Sequence, residues 1–230
     1  MKEGNDTAGP VIRIMVVDDQ RLVRRCICVK LDSVPEFKVV AEAENGEHAR
    51  RLAREVPFDI ALMDLNMPGI GGLEATRRLL AARPGVKIIG LSMYVEGPYP
   101  RKFLELGGAG YVSKNADTEA LVRAIRDVWR GECYISADVA QEIALAHMHG
   151  RRAGHDLTSR EMQVLHKICA GLGIEAIADA LCLSRKTVAY HRRRLLDKLG
   201  AENDVRLAIL ARNSGLAEFA ASAEVPDGAA

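Results

Sequence analysis

Two hydrophobic patterns divide the chain. From Val11 to about Gly131, short apolar runs alternate with stretches whose apolar residues recur every three or four positions. Runs at 12–17, 37–41, 60–63, 86–91 and 111–112 predict strands buried on both faces. Stretches at 22–31, 47–55, 72–80 and 117–129 predict amphipathic helices between and after them. Pro98 and Pro100 predict a late, irregular start for the helix between the last two strands. Strict β/α alternation with short loops predicts an α/β, doubly wound, five-stranded parallel sheet over 11–132.

From Asp156 onward the period is helical throughout. Thr158 and Glu161 form a capping box ahead of a helix that ends at Gly171. Further helices are expected at 174–181, at 184–199 behind Ser184 and before Gly200, and at 204–213. The all-α domain thus spans 156–213. Residues 133–155 read as a linker with a short helix at 137–147, and Gly150 to Gly154 as its flexible end. Residues 1–10 read as a flexible leader and 214–230 as a fraying, small-residue tail.

The chemistry collects at strand ends. The first strand runs into Asp18 and Asp19, the third into Asp64, the fourth into Ser92, and the fifth into Lys114. Ligands gather at the carboxyl edge of a parallel sheet. Three carboxylates there suit Mg²⁺, which takes oxygen ligands and bridges to phosphate, and an ammonium beside them neutralises an incoming phosphoryl group. In the second half, a helix, a short turn and a helix carrying Arg185, Lys186, Arg192, Arg193, Arg194 and Lys198 make a helix-turn-helix pattern. Lys186, Thr187, His191 and Arg192 fall at i, i+1, i+5 and i+6, on roughly one side, and are expected at the DNA.

Asp18, Asp19, Asp64, Ser92, Tyr111 and Lys114, with the Met67-Pro68-Gly69 turn, resemble the receiver domain of bacterial two-component response regulators. The blocks Leu157-Thr158-Ser159-Arg160-Glu161, Ala176-Ile177-Ala178 and Leu183-Ser184-Arg185-Lys186-Thr187-Val188, with His191 and Lys198-Leu199, resemble the LuxR-type DNA-binding domain. Together they resemble the NarL/FixJ regulators. The stretch from Asp64 to Arg77, Glu96 to Pro100, and Asn203-Asp204-Val205 look most like the GacA/UvrY/SirA branch. The resemblance implies a flavodoxin/CheY-like receiver in which Asp64 is the phosphoacceptor, Lys114 binds phosphate, and Ser92 and Tyr111 are the switch pair. It implies Mg²⁺ on Asp18, Asp19, Asp64 and the Asn66 carbonyl. It also implies a sensor histidine kinase as donor, double-stranded DNA bound by a homodimer, and RNA polymerase as a further partner. The unphosphorylated receiver is expected to cover the helix at 184–199. Two features depart from the family pattern: Gly173-Ile174-Glu175-Ala176 replaces a polar run, and Ala189 stands where a lysine is common.

Charge adds one asymmetry. The total is +1, but 156–212 holds ten lysines and arginines against seven acids, which leaves +3 there and −2 elsewhere. The sign suits a nucleic-acid-binding second domain. The five cysteines, among them Cys26 and Cys28, fit no disulfide framework or zinc spacing. His147, His149 and His155 lie close together without a Cys or carboxylate at ligand spacing. With no signal peptide and no membrane span, the expectation is a soluble cytoplasmic protein. Two other readings remain open from sequence. One is an enzyme using Asp64 as a nucleophile, though Asn66 stands where such phosphatases carry a second Asp. The other is a receiver whose terminal helices bind protein or RNA.

Overall fold

The computed structural model describes residues 10–93, 95, 98–148, 157–214 and 216. The expectations for the leader up to residue 9, for Glu96 and Gly97, for the flexible end of the linker and for the tail beyond 216 lie outside them. So do His149, His155 and the side chain of His147.

The first unit runs β1 (Ile12–Val17), α1 (Arg21–Asp32), β2 (Phe37–Ala43), α2 (Gly46–Glu55), β3 (Ile60–Asp64) and α3 (Gly71–Ala82). It continues with β4 (Lys87–Ser92), α4 (Tyr99–Glu105), β5 (Gly110–Ser113) and α5 (Thr118–Arg130). All pairings are parallel. With β6 (Tyr134–Ile135), the sheet has six strands, in the order β2-β1-β3-β4-β5-β6, where five were expected. Gly131 closes α5 in the left-handed region at φ 93°, which turns the chain back along β5. Two residues are too short to show a period, so β6 left no hydrophobic signature.

The following helix, α6 (Ala137–Met148), packs on β5 and α4, with Val139 fully buried. Ser136 accepts the Ser113 amide at 3.2 Å and donates its own amide to the Tyr111 carbonyl at 3.0 Å. The start of the expected linker is therefore built into the receiver's edge.

Each sheet face has its own core. Ile14, Val16, Leu62, Ile89 and Val112 pack under Leu31 of α1 and Ile125 and Val128 of α5. Met15, Met63, Ile88 and Tyr111 pack under α2, α3 and α4. Each such side chain contributes about 1.5–3 kcal/mol on burial, so the strands can be apolar on both sides while the polar residues collect at their ends.

The second unit is α7 (Ser159–Cys169), α8 (Ile174–Ala180), α9 (Arg185–Leu199) and α10 (Asp204–Asn213). Thr158 and Glu161 form the reciprocal capping box on α7. Ser184 and Asn203 cap α9 and α10 by accepting from the third helical amide. Val164, Leu165, Ile177, Val188, Leu195 and Leu207 make its core, which is continuous with the receiver's second core.

The two units meet through α7. Gln163 Nε2 donates to the Met67 carbonyl at 3.3 Å, Arg160 donates to the Gly69 carbonyl, and Lys102 donates to the Leu157 carbonyl. The Tyr99 and His166 rings lie 5.4 Å apart. The receiver was expected to cover α9. Instead α9 packs on α7, α8 and α10, and Arg185 and Lys186 at its start are exposed. The first helix of the second unit and the residues just before it, rather than the charged face of α9, make the docking surface.

Candidate functional sites

Four strand ends converge on one acidic site. Asp18 and Asp64 are almost fully buried and Asp19 is exposed, and one ligand atom from each lies within 4.8 Å of the others. Lys114 Nζ sits 2.8 Å from Asp18 Oδ2 and 2.9 Å from Asp64 Oδ2. Asp18 is further held by the Gln20 amide at 2.8 Å, and Asp64 by the Asn66 amide at 2.9 Å. The loop after Asp64 must pass close under α3: a Cβ on Gly72 would fall 2.2 Å from the Asp64 carbonyl oxygen, so only glycine fits.

Burial pushes the Asp64 carboxyl up to about 6, against the pull of Lys114 and the Asn66 amide. Partial desolvation of the Asp19 carboxyl where it faces Asp64, then the Asp18 charge, raises its pKa. Burial works to lower Lys114, but the Asp64 and Asp18 carboxylates outweigh it and hold its pKa above the usual value. Three crowded carboxyl groups facing one ammonium leave the site short of positive charge. That donor set, all oxygen with two rigid buried members, fits a hard divalent cation.

Ser92 is fully buried at the end of β4, next to Leu91, which pairs with Asp64. Its carbonyl accepts the Lys114 amide at 2.8 Å, so the serine and the lysine are fastened to each other. Tyr111 is fully buried and meets Phe103 of α4 edge-on at 5.8 Å. Phe103 also fills the space above Gly90, where a Cβ would approach it to 3.1 Å. Tyr111 is thus wedged between the sheet and a seven-residue helix that starts, as expected, late and with proline in its first turn.

The second candidate site is α9. Lys186 and Arg193 are exposed, and neither has an ion pair among the described residues. Most of the other expected DNA contacts have partners within the domain. Arg185 pairs with Glu175 at 2.7 Å, and Arg192 with Asp204 at 2.7 Å. Arg194 and Lys198 both reach the buried Glu161, at 3.1 and 2.7 Å. Thr187 turns back to Ser184, with oxygens 2.8 Å apart. His191 is half-buried, its Nδ1 is enclosed without a partner, and burial lowers its pKa. Sequence reasoning did not single out Arg160, Gln163, Glu161's double pairing or Tyr190. Arg160 and Gln163 bond each other at 2.7 Å, and each also reaches a main-chain carbonyl of the receiver.

The chain matches two family models: "Response regulator receiver domain" over residues 14–126 and "Bacterial regulatory proteins, luxR family" over 155–211. It is 41% identical to "Response regulator GacA" of Pseudomonas aeruginosa strain PAO1 over 215 residues, covering 91% of this chain and all of that one. It is 41% identical to "Response regulator UvrY" of Escherichia coli K12 over 209 residues, covering 90% and 96%. Among solved structures, RcsB from Salmonella enterica serovar Typhimurium, bound to promoter rprA with the phosphomimetic BeF3-, superposes with a TM-score of 0.65 at 23% identity. That match covers 87% of this chain and 98% of RcsB. The chain therefore belongs to the NarL/FixJ response regulators, transcription regulators in which a receiver precedes a LuxR-type helix-turn-helix domain. Among the described residues, no helix is long and apolar enough to cross a membrane.

Proposed function

We propose that Asp64 accepts a phosphoryl group from a sensor histidine kinase, and that this controls sequence-specific binding of a homodimer to double-stranded DNA through α9. The observation that carries the reading is Lys114 placed between the buried carboxylates of Asp18 and Asp64 at the carboxyl edge of the sheet. In the transfer, an Asp64 oxygen forms the new P–O bond while the P–N bond to the donor histidine breaks and imidazole leaves. Lys114 balances charge on the moving phosphoryl oxygens. Asp18, Asp19, Asp64 and the Asn66 carbonyl would hold Mg²⁺, which supplies further charge neutralisation. Asn66 offers no acid or base two residues after Asp64, so hydrolysis of the acyl phosphate is slow and the signal lasts.

The modified Asp64 carries roughly two negative charges. Ser92 donates its hydroxyl hydrogen bond to the new oxygens, and Tyr111 repacks as the Ser92 loop moves inward. The working units are a receiver over 11–132 and a DNA-binding domain over 156–213. The protein acts in the cytoplasm, where its DNA and kinase phosphohistidine are found, and RNA polymerase is its partner at the promoter. Treatment with acetyl phosphate and Mg²⁺ tests the assignment. Wild type takes up one phosphoryl group and Asp64→Asn takes up none; equal labelling of both would remove Asp64 from its role.

A further inference from the structure

Ion pairs within the domain sort the side chains of α9 into two classes. Arg185, Arg192, Arg194 and Lys198 are held by Glu175, Asp204 and Glu161. Arg185 and Arg194 are exposed but paired; the exposed residues with no ion pair among the described residues include a stripe at i, i+3, i+4 and i+7: Lys186, Ala189, Tyr190 and Arg193. That spacing puts all four on one helix face. The stripe is bounded on the C-terminal side by the exposed Asp197, whose carboxylate repels phosphate. Contact with DNA is thereby confined to the first turns of the helix, which are the turns that reach base edges in helix-turn-helix domains.

We propose that Tyr190 is the base-reading residue of this stripe and that it reads the C5-methyl group of thymine in the major groove. The inference rests on the DNA-binding reading above. Tyr190 is a large side chain left 57% exposed. Arg194 donates to its hydroxyl at 3.1 Å and places its guanidinium 5.9 Å from the ring. The His191 ring meets it edge-on at 5.4 Å. The ring is therefore braced before DNA arrives, and little side-chain freedom is lost on contact.

Lys186 and Arg193 flank the ring by one turn on each side and supply the two phosphate contacts. Ala189, beside Tyr190, has no side chain long enough to hold the helix away from the bases. The ring is mostly carbon surface, and the apolar feature of a base edge in the groove is the thymine methyl.

The probe is a duplex selected from a randomised pool by the acetyl-phosphate-treated wild-type protein. It is resynthesised with uracil in place of thymine, one position at a time. Wild type should lose about fourfold in affinity at one thymine of each half-site, the value of one buried methyl. Tyr190→Ala should lose about the same on the thymine duplex and bind the thymine and uracil duplexes equally. Tyr190→Phe should keep the discrimination. The slope of affinity against salt should stay unchanged in Tyr190→Ala and become shallower in Lys186→Ala. Wild-type thermal unfolding in each variant confirms the fold. If Tyr190→Ala still distinguishes thymine from uracil, or wild type never does, the inference is overturned. If wild type shows no salt-dependent duplex binding, the DNA-binding reading itself fails.

Discussion

Gln163 Nε2 donates to the Met67 main-chain carbonyl over 3.3 Å, which joins the first helix of the DNA-binding domain to the loop leaving Asp64. One residue earlier, the Asn66 amide is bonded to the Asp64 carboxylate at 2.9 Å. A charge change at Asp64 therefore acts on a loop that the second domain already grips.

Replacing Arg160 and Gln163 with alanine should undo this grip. Each hydrogen bond contributes about 1 kcal/mol, so losing two loosens the docked state by roughly tenfold or more. Hydrogen exchange at amides 65–70 should speed up while the sheet core keeps its protection. Unchanged exchange in that loop would show that the contacts do not hold the domains together.

Ser92→Ala should leave phosphoryl uptake from acetyl phosphate largely intact, because Ser92 is not a ligand of the acidic site. The ratio of DNA affinity with and without phosphodonor should fall toward one. A ratio equal to that of wild type would place the switch elsewhere.

Asp19 is the most exposed member of the acidic trio, but its carboxyl faces the other two, and its partial desolvation, then the Asp18 charge, raise its pKa. A carboxylate with a raised folded pKa opposes folding when ionised. Asp19→Asn should weaken Mg²⁺ binding by roughly tenfold or more in calorimetric titration, by loss of a carboxylate ligand. Its melting temperature without metal should equal or exceed that of wild type. A lower melting temperature with unchanged Mg²⁺ affinity would assign Asp19 a structural role.

His166 sits at the domain seam beside Tyr99, and burial lowers its pKa to about 4. A histidine with a depressed folded pKa stabilises fully above its unfolded value of about 6.5, and that contribution is lost as pH falls from there to about 4. The loss amounts to roughly 3 kcal/mol. Asp64, pushed up to about 6, works in the opposite sense over part of the same range. The readout is therefore the difference between wild type and His166→Gln. Denaturant unfolding should show wild type losing more stability than the variant between neutral pH and pH 4. Parallel curves would contradict the buried neutral histidine.

Most of the receiver was legible in the sequence because its signals are local. Apolar runs such as 60–63 can only be buried, and Asp18, Asp64, Ser92 and Lys114 each end one, so the sheet edge follows from the pattern. The caps at Thr158, Ser184 and Asn203 likewise announced their helices. Strand β6 was not legible, since Tyr134 and Ile135 carry no period of their own. The division of α9 was not legible either. Glu161 lies 37 residues from Lys198 along the chain, and only the packing of α7 on α9 reveals that the carboxylate claims two of the expected DNA contacts. The same holds for the seam, where Gln163 and Met67 are 96 residues apart.

The central claim is that chemistry at Asp64 sets DNA affinity through α9. The direct measurement is a titration of fluorescent duplex DNA, selected from a randomised pool, with wild type and Asp64→Asn, each with and without acetyl phosphate and Mg²⁺. The account predicts that phosphodonor tightens binding by wild type and leaves Asp64→Asn unchanged. An equal response of both proteins, or no response of wild type once labelled, would contradict it.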